Sequence, residues 1–166
     1  MAPPLHVREY RPADEDRLWD LHVAASTDVD AFADPDGCES GVATDPERHA
    51  ADSDRLASEG VFLVGEVPEP PDGRHLVAMG ALDPVDETTV ELTRMRVAPD
   101  HWRQGYGQRM LDALEARATA RGTATIELET LARQTAARAL YEANGYEEVG
   151  RARAGEYEVL TYRKHL

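Results

Sequence analysis

The sequence predicts a mixed α/β domain in which one β-sheet carries helices on its faces. Two kinds of apolar spacing lead to this prediction, because some segments alternate with a period of two and others repeat at helical spacing. Turn residues such as glycine, proline and aspartate separate the segments. Their order is one strand, two helices, three strands, a helix, a strand, a helix and one or more closing strands. The chain has 166 residues, the length of one domain, so we expect residues 1–166 to form a single domain.

The first half of the chain contains the strand, the two helices and the three-stranded meander of this order. Leu18, Leu21 and Ala25 recur at helical spacing and define the first helix. Asp45 is a helix N-cap signal, because Pro46 follows it at the first helical position. The predicted bounds are a strand at 5–10, a helix from 14 to about 25, a long loop at 26–44, a helix at 45–57, strands at 60–67, 76–82 and 88–97, and a turn at 68–73.

The second half contains the remaining helices and strands. Met110, Leu111, Leu114 and Ala118 fall on one face of a predicted helix, which Gly122 ends. The predicted bounds are a helix at 105–121, a strand at 123–129, a helix at 134–143 and a final strand at 156–162.

The composition narrows the possible functions. A formal net charge of −14 argues against nucleic acid as a partner and favours cationic substrates. No signal peptide and no long apolar run is visible, and Cys38 is the single cysteine, so we expect a cytoplasmic protein that is not bound to a membrane. We interpret Cys38 as having no catalytic role. Lys164 is the only lysine, and this acid-rich, lysine-poor composition suggests a salt-loving or high-GC source.

One segment has the features of an anion-binding site. A strand ends at Val97, a turn containing a proline follows, and a helix begins at Gly105-Tyr106-Gly107. Glycine lets a ligand approach the backbone closely, and the start of a helix offers unpaired N–H groups and the positive end of the dipole. Arg103 adds a positive charge. The segment is neither a P-loop nor a dinucleotide fingerprint, because the residues that complete those motifs are missing.

The same segment resembles the cofactor loop of the GCN5-related N-acetyltransferase (GNAT) superfamily. That family carries Val-x-Pro after a strand, followed by Gln/Arg-x-x-Gly-x-Gly/Ala at a helix start. Val97, Pro99, Gly105 and Gly107 match this pattern, whereas Trp102 stands at the Gln/Arg position. The resemblance implies an α/β fold with a mixed, mostly antiparallel central sheet and helices on both faces. It also implies acetyl-CoA as co-substrate, with its pyrophosphate held by backbone N–H groups of this loop.

A second segment, residues 134–146, resembles the family's Asn-x-x-Ala-x-x-Leu-Tyr-x-x-x-Gly-Phe/Tyr motif. Gln134 replaces the asparagine and keeps the amide, and the matching residues are Ala137, Leu140, Tyr141, Gly145 and Tyr146. The resemblance implies cofactor contacts at Met95, Arg96, Val97, Trp102, Arg103, Gln104, Gly105, Tyr106, Gly107, Gln108, Gln134 and Tyr141.

The resemblance also implies catalytic roles for two residues. Tyr141 is expected to be the general acid that protonates the departing CoA thiolate. Glu91, six residues before Val97, is expected to be the base, since histone acetyltransferases of this superfamily carry a glutamate at the matching place. Many relatives use a chain of water molecules instead. Backbone N–H groups near Val97 are expected to stabilise the oxyanion. Transfer is expected to be direct, within a ternary complex.

The leading function is therefore acetyl-CoA-dependent N-acetylation of a primary amine of a small molecule or a peptide. The acceptor is expected to lie against residues 26–44 and 68–73. A non-catalytic acyl-CoA-binding regulatory module of the same fold is the first alternative, and a phosphate- or nucleotide-binding domain unrelated to CoA is the second. The histidines have no metal-ligand spacing, so no metal is expected. A homodimer is compatible with the family.

Overall fold

The fold contains seven strands and four helices in the part of the chain that the computed structural model describes, residues 2–27 and 45–166. Their bounds are β1 His6–Glu9, α1 Glu15–Thr27, α2 Pro46–Glu59, β2 Val61–Glu69, β3 Gly73–Pro84, β4 Thr89–Val97, α3 Tyr106–Ala120, β5 Thr125–Leu131, α4 Thr135–Ala143, β6 Glu147–Ala154 and β7 Tyr157–His165. The predicted element order is confirmed, and β6 and β7 are the closing strands. Cys38 and residues 28–44 of the predicted loop lie outside the described residues.

All seven strands form one sheet with the order β1-β2-β3-β4-β5-β7-β6. Every neighbouring pair is antiparallel except β4 and β5, which are parallel. The expectation of a mixed, mostly antiparallel sheet is therefore confirmed. The hairpin between β2 and β3 has a shorter turn than predicted, because Pro68, Glu69 and Gly73 pair within the strands.

The sheet has a hydrophobic core on each face. On one face, Phe62, Val64 and Met79 pack with residues of α1 and α2. On the other face, Leu63, Leu82 and further strand residues pack with α3 and with tyrosines of the α4 region. Alternation along the strands separates the two sets, since successive side chains point to opposite faces. We refer below to the α1/α2 face and the α3/α4 face.

Local signals place the helices that build these two layers. The Asp45 carboxylate accepts a hydrogen bond of 2.8 Å from the Arg48 N–H, as expected of an N-cap. The apolar stripe of α3, predicted from its spacing, is completely buried at Met110, Leu111, Leu114 and Ala118. None of the helices in residues 2–27 and 45–166 is both long and apolar enough to cross a bilayer.

A β-bulge interrupts β4 in its second half. Thr93 pairs with Ala81 and Arg96 pairs with Met79, so two residues, Arg94 and Met95, lie opposite the single residue Gly80. A Cβ atom at Gly80 would lie 2.7 Å from Leu114 and 2.9 Å from Met95, so glycine is required for the close approach of α3 to the bulge.

Arg94 holds the bulge against α2. Its backbone has a φ of 55°, which is rare for a residue with a side chain, and its side chain is buried. The guanidinium donates to the Ser53 hydroxyl at 2.6 Å, to the His49 carbonyl at 3.2 Å and to the Asp52 carboxylate at 3.0 Å. These three contacts compensate the buried charge and tie the strained segment to the helix.

The bulge coincides with a split in the sheet. β4 and β5 pair only from Thr89 to Leu92 and from Thr125 to Leu128. Beyond this point β4 continues to pair with β3 as far as Val97, and β5 continues to pair with β7 as far as Leu131. The two strands therefore diverge, and a cleft opens between them.

Candidate active site

The cleft between the diverging strands brings together both predicted catalytic residues. Its walls come from the end of β4, the end of β5 and the facing side of α4. The lining residues are Glu91, Leu92, Thr93, Arg94, Met95, Arg96, Glu129, Thr130, Gln134, Ala137 and Tyr141. Glu91 and Tyr141, which are fifty residues apart in sequence, thus share one cavity.

The cleft has a different chemistry on each side of the sheet. Leu92 and Leu128 belong to the core on the α3/α4 face, so alternation places Glu91 and Glu129 on the α1/α2 face. Tyr141 reaches the cleft from the α3/α4 face, where it belongs to the core. A phenol therefore lines the cleft from one side of the sheet and two carboxylates line it from the other.

Tyr141 has the surroundings of a proton donor. The residue is 7% exposed, and its ring packs edge-on against Tyr146 with 5.7 Å between the centroids. No side chain of residues 2–27 or 45–166 hydrogen-bonds its hydroxyl. Burial raises the pKa of Tyr141 to about 12, against the opposing effect of the Arg96 charge. The phenol is consequently neutral at physiological pH and free to donate to a group in the cleft.

Glu91 is flanked by carboxylates in the sheet. Its cross-strand partners are Asp83 on β3 and Glu127 on β5. Arg55 neutralises Asp83 at 2.9 Å and Arg163 neutralises Glu127 at 2.6 Å, whereas Glu91 forms no ion pair within the described ranges. Glu91 is exposed overall, but partial desolvation of its carboxylate and the negative charges of Glu129, Asp83 and Glu127 raise the pKa of Glu91.

Glu129 is a candidate that the sequence analysis missed. It is the first residue of β5 beyond the last pair with β4, so it lies where the cleft opens. It also forms no ion pair in the part of the chain that the structure describes. The available signal was alternation, since Ile126 and Leu128 are buried and Glu127 and Glu129 point the other way.

The predicted anion site is the continuation of β4. After Val97 a short 3₁₀ turn at Pro99–His101 leads to Gly105, which precedes α3 with a φ of 83°. No side chain caps the helix, its first turn contains no acid, and its first internal hydrogen bond runs from the Arg109 N–H to the Gly105 carbonyl at 3.1 Å. The N–H groups of the three preceding residues are therefore available to an anion.

Trp102 has a structural role in this loop. Its indole N–H donates to the Val97 carbonyl at 2.7 Å, and the residue is 45% exposed. The indole thus holds the turn against the end of β4, and it offers no amide or guanidinium at the position where the family has Gln or Arg. Arg103 follows with a φ of 62° and forms no ion pair in the described segments, so its charge remains available.

Four of the predicted cofactor residues use their side chains within the protein. The Tyr106 hydroxyl donates to the Pro3 carbonyl at 2.7 Å, and Met95 packs against the core. The Gln108 amide exchanges hydrogen bonds of 2.7 and 2.8 Å with Asn144, the residue after α4. The Gln134 carbonyl oxygen accepts from the Thr130 hydroxyl and the Leu131 N–H. Cofactor contacts by Tyr106 and Met95 are therefore expected from the backbone.

Among the described residues no group of three or more His, Cys, Asp or Glu side chains could hold a metal ion.

Comparisons with known proteins agree with this geometry. The model of the acetyltransferase (GNAT) family matches residues 22–146. In sequence, the chain is similar to the [ribosomal protein bS18]-alanine N-acetyltransferase of Escherichia coli strain K12, with 44% identity over 64 residues. This alignment covers 39% of the chain and 42% of the relative's length.

Two solved structures have the same fold. The ribosomal-protein-S18-alanine N-acetyltransferase from Escherichia coli aligns with a TM-score of 0.72 at 19% identity, over 98% of this chain and 94% of that chain. The PaiA N-acetyltransferase from Thermoplasma acidophilum, in complex with coenzyme A, aligns with a TM-score of 0.78 at 15% identity, over 98% of this chain and 99% of that chain. At these identities the likeness concerns the fold.

Proposed function

Because the chain belongs to the GNAT acetyltransferase family, we propose that it is an acetyl-CoA-dependent N-acetyltransferase acting on a primary amine of a small molecule or a peptide. The observation that carries this proposal is the cleft between β4 and β5. It has a buried neutral phenol on one side and unpaired carboxylates on the other, and it adjoins an uncapped helix start.

The cofactor is proposed to lie along the end of β4 and across the start of α3. Beyond Leu92 the edge of β4 that faces β5 has no strand partner, so amides of the pantetheine arm can pair with it. The pyrophosphate is proposed to bind the free N–H groups of Tyr106, Gly107 and Gln108, with Arg103 adding its charge. The reaction needs no covalent enzyme intermediate, because the amine attacks the thioester directly.

The chemistry divides between the two sides of the cleft. A carboxylate on the α1/α2 face accepts a proton from the acceptor ammonium, and the freed amine attacks the thioester carbonyl carbon. The carbonyl oxygen gains negative charge, which backbone N–H groups near Val97 are proposed to stabilise. When the carbon–sulfur bond breaks, the Tyr141 hydroxyl donates a proton to the CoA sulfur. The acetylated nitrogen loses its remaining excess proton, and the Tyr141 phenolate takes up one proton to restore the phenol. The products are the acetylated amine and CoA.

Glu91 and Glu129 are both proposed as the base. Glu91 lies within the paired region between two other carboxylates, whereas Glu129 lies where the strands have separated. The raised pKa of Glu91 makes its carboxylate the better proton acceptor near neutral pH. The position of Glu129 in the opened part of the cleft favours contact with the acceptor amine. Variants of both residues are needed to choose between them.

The pH dependence of kcat/KM is expected to identify the base. A base works only when deprotonated, so activity falls as the pH decreases through its pKa. If Glu91 is the base, the midpoint of this acid limb is expected above 4.5, the ordinary pKa of a glutamate, because the pKa of Glu91 is raised. Glu91→Gln and Glu129→Gln are measured in parallel, each as the control for the other. The variant that lacks the base loses the acid limb and about 100-fold or more in activity at pH 7. If both variants keep the limb, neither residue is the base and a water chain is required.

Acetyl-CoA binding and turnover test the proposed function itself. Calorimetry with acetyl-CoA, ATP and NAD is expected to show binding of acetyl-CoA alone. Release of free CoA from acetyl-CoA is then measured across a panel of amines and amino-terminal peptides. Binding without release of CoA by any acceptor would favour the regulatory, non-catalytic module, and preferential binding of ATP or NAD would contradict both. Homodimer formation stays a prediction, which the mass measured by light scattering tests.

A further inference from the structure

Arg96 is a cation in the cleft without an anionic partner. Its guanidinium makes one hydrogen bond, of 3.1 Å, to the Met95 carbonyl, and it forms no ion pair within residues 2–27 and 45–166. Other arginines close to the site are neutralised: Arg94 by Asp52, Arg55 by Asp83 and Arg163 by Glu127.

Arg96 is half-buried without an acidic partner, although this chain is rich in acids. The sequence has 32 acidic residues against 18 lysines and arginines, so carboxylates to neutralise it are abundant. Removing a charge from water without a partner disfavours the charged form, and burial accordingly lowers the pKa of Arg96. The arrangement weakens the fold, and it is typical of a group that awaits a ligand.

The position of Arg96 indicates which ligand it awaits. Arg96 pairs with Met79, which belongs to the core on the α1/α2 face, so its side chain lies on that face of the sheet. Glu91 and Glu129 are on the same face, whereas α3, at whose start the pyrophosphate is proposed to bind, covers the opposite face. Arg96 is therefore better placed for the acceptor than for the phosphates of the cofactor.

We propose, on the basis of the acetyltransferase function proposed above, that the acceptor is a primary amine that also carries a carboxylate, as an amino acid does. Arg96 binds the acceptor carboxylate through paired N–H donors, and the carboxylates of Glu91 and Glu129 attract the ammonium group. Arg96 forms an ion pair with neither glutamate, so the cation and the anions stay apart and both remain available to a zwitterion.

The geometry of arginine suits this task. A planar guanidinium offers two parallel donors that match the two oxygens of a carboxylate, and such charge-assisted bonds fix orientation as well as affinity. The amine is then held on the α1/α2 side while the thioester approaches from the side of Tyr141. A peptide amino terminus presents a neutral amide in place of the carboxylate, so Arg96 selects against it.

Matched acceptors test the proposal. For a panel of amino acids, kcat/KM is compared with that for the corresponding amino amides and decarboxylated amines, which keep the amine and lose the negative charge. The full-length wild-type protein is expected to prefer the acids about 10-fold or more. Equal use of the acids and their uncharged analogues would overturn the proposal.

Variants of Arg96 assign the preference to this residue. Arg96→Gln is expected to lower kcat/KM for the acids by about 10- to 100-fold. The kcat/KM for an acid divided by that for its amide is then expected to be near one. Arg96→Lys is expected to fall between Arg96→Gln and wild type. Arg117→Gln removes an equal charge on α3, from an exposed ion pair with Glu9 of β1, and is expected to leave both values unchanged. A rise in the KM for acetyl-CoA with an unchanged ratio of acid to amide would instead assign Arg96 to the cofactor.

A binding measurement separates this proposal from the proposed function. Calorimetry of the CoA-loaded protein with an amino acid and with its amide measures recognition of the carboxylate without turnover. A preference for the acid that Arg96→Gln abolishes supports the carboxylate site even if CoA release is absent, in which case only the acetyltransferase function fails. Acetyl-CoA turnover with amines but without preference for acids overturns the carboxylate site alone.

Discussion

Replacing Tyr141 with phenylalanine is expected to lower kcat about 100-fold or more and to leave the KM for acetyl-CoA nearly unchanged. The hydroxyl is the only group lost, and no side chain in the described part of the chain forms a hydrogen bond with it. The phenylalanine ring keeps the edge-on packing against Tyr146. Because the pKa of Tyr141 is raised to about 12, the wild-type phenol stays protonated across the usable pH range. Steady-state kinetics with detection of free CoA measures the effect.

Tyr146→Phe is the matched control. Tyr146 is also buried and is the partner in the same ring pair, but its hydroxyl donates to Glu115 at 3.0 Å, away from the cleft. Its loss is expected to cost about 1 kcal/mol of unfolding free energy and no catalytic rate. Glu115 keeps its ion pair with Lys164 at 3.0 Å. Equal losses of kcat in the two variants would assign Tyr141 to packing.

Replacing Gly105 with valine is expected to weaken acetyl-CoA binding at least about 100-fold, because several charge-assisted hydrogen bonds to the pyrophosphate are lost together. A β-branched residue strongly disfavours the φ of 83° found at this position, so the loop must change its path and the N–H groups at the start of α3 must move. A Cβ at Gly105 has no neighbour within 4 Å, so the Cβ atom itself causes no clash and the backbone conformation is the source of the strain. Calorimetry with acetyl-CoA measures the change.

Gly122→Val separates backbone strain from ligand binding. Gly122 follows the other end of α3 with a φ of 79°, and a Cβ there also has no neighbour within 4 Å. The strain is therefore similar, about 1–2 kcal/mol, but the site is remote. We expect a comparable loss of thermal stability in the two variants and normal acetyl-CoA binding in Gly122→Val only. Weakened binding in both would mean that the effect comes from general destabilisation of α3.

The features that the sequence predicted correctly are those encoded locally. The buried stripe of α3 follows from apolar residues three and four positions apart, and the start of α2 follows from the Asp45-Pro46 pair. The glycine-containing turn before α3 is likewise contained in one short segment. The family resemblance added the remaining expectation, that Tyr141 and Glu91 share a site, and the cleft brings these residues together.

The features that were missed depend on contacts between distant segments. Glu129 becomes a candidate only once the register shows that β4 and β5 separate after Leu128. The bulge at Arg94 depends on Ser53, which is 41 residues away in sequence. Strand β6 gave no signal of its own, because its residues from Glu147 to Ala154 are mostly exposed and include only one large apolar side chain, Val149.

The position of Trp102 has a practical consequence for studying this protein. The chain contains only two tryptophans, Trp19 on α1 and Trp102 in the loop before α3. The Trp102 indole is solvent-exposed and hydrogen-bonded to the carbonyl at the end of β4. Its fluorescence therefore reports on the loop itself, without an attached dye. In a Trp19→Phe background, a titration in a fluorimeter can follow occupancy of this loop in real time and separate the arrival of one substrate from that of the other.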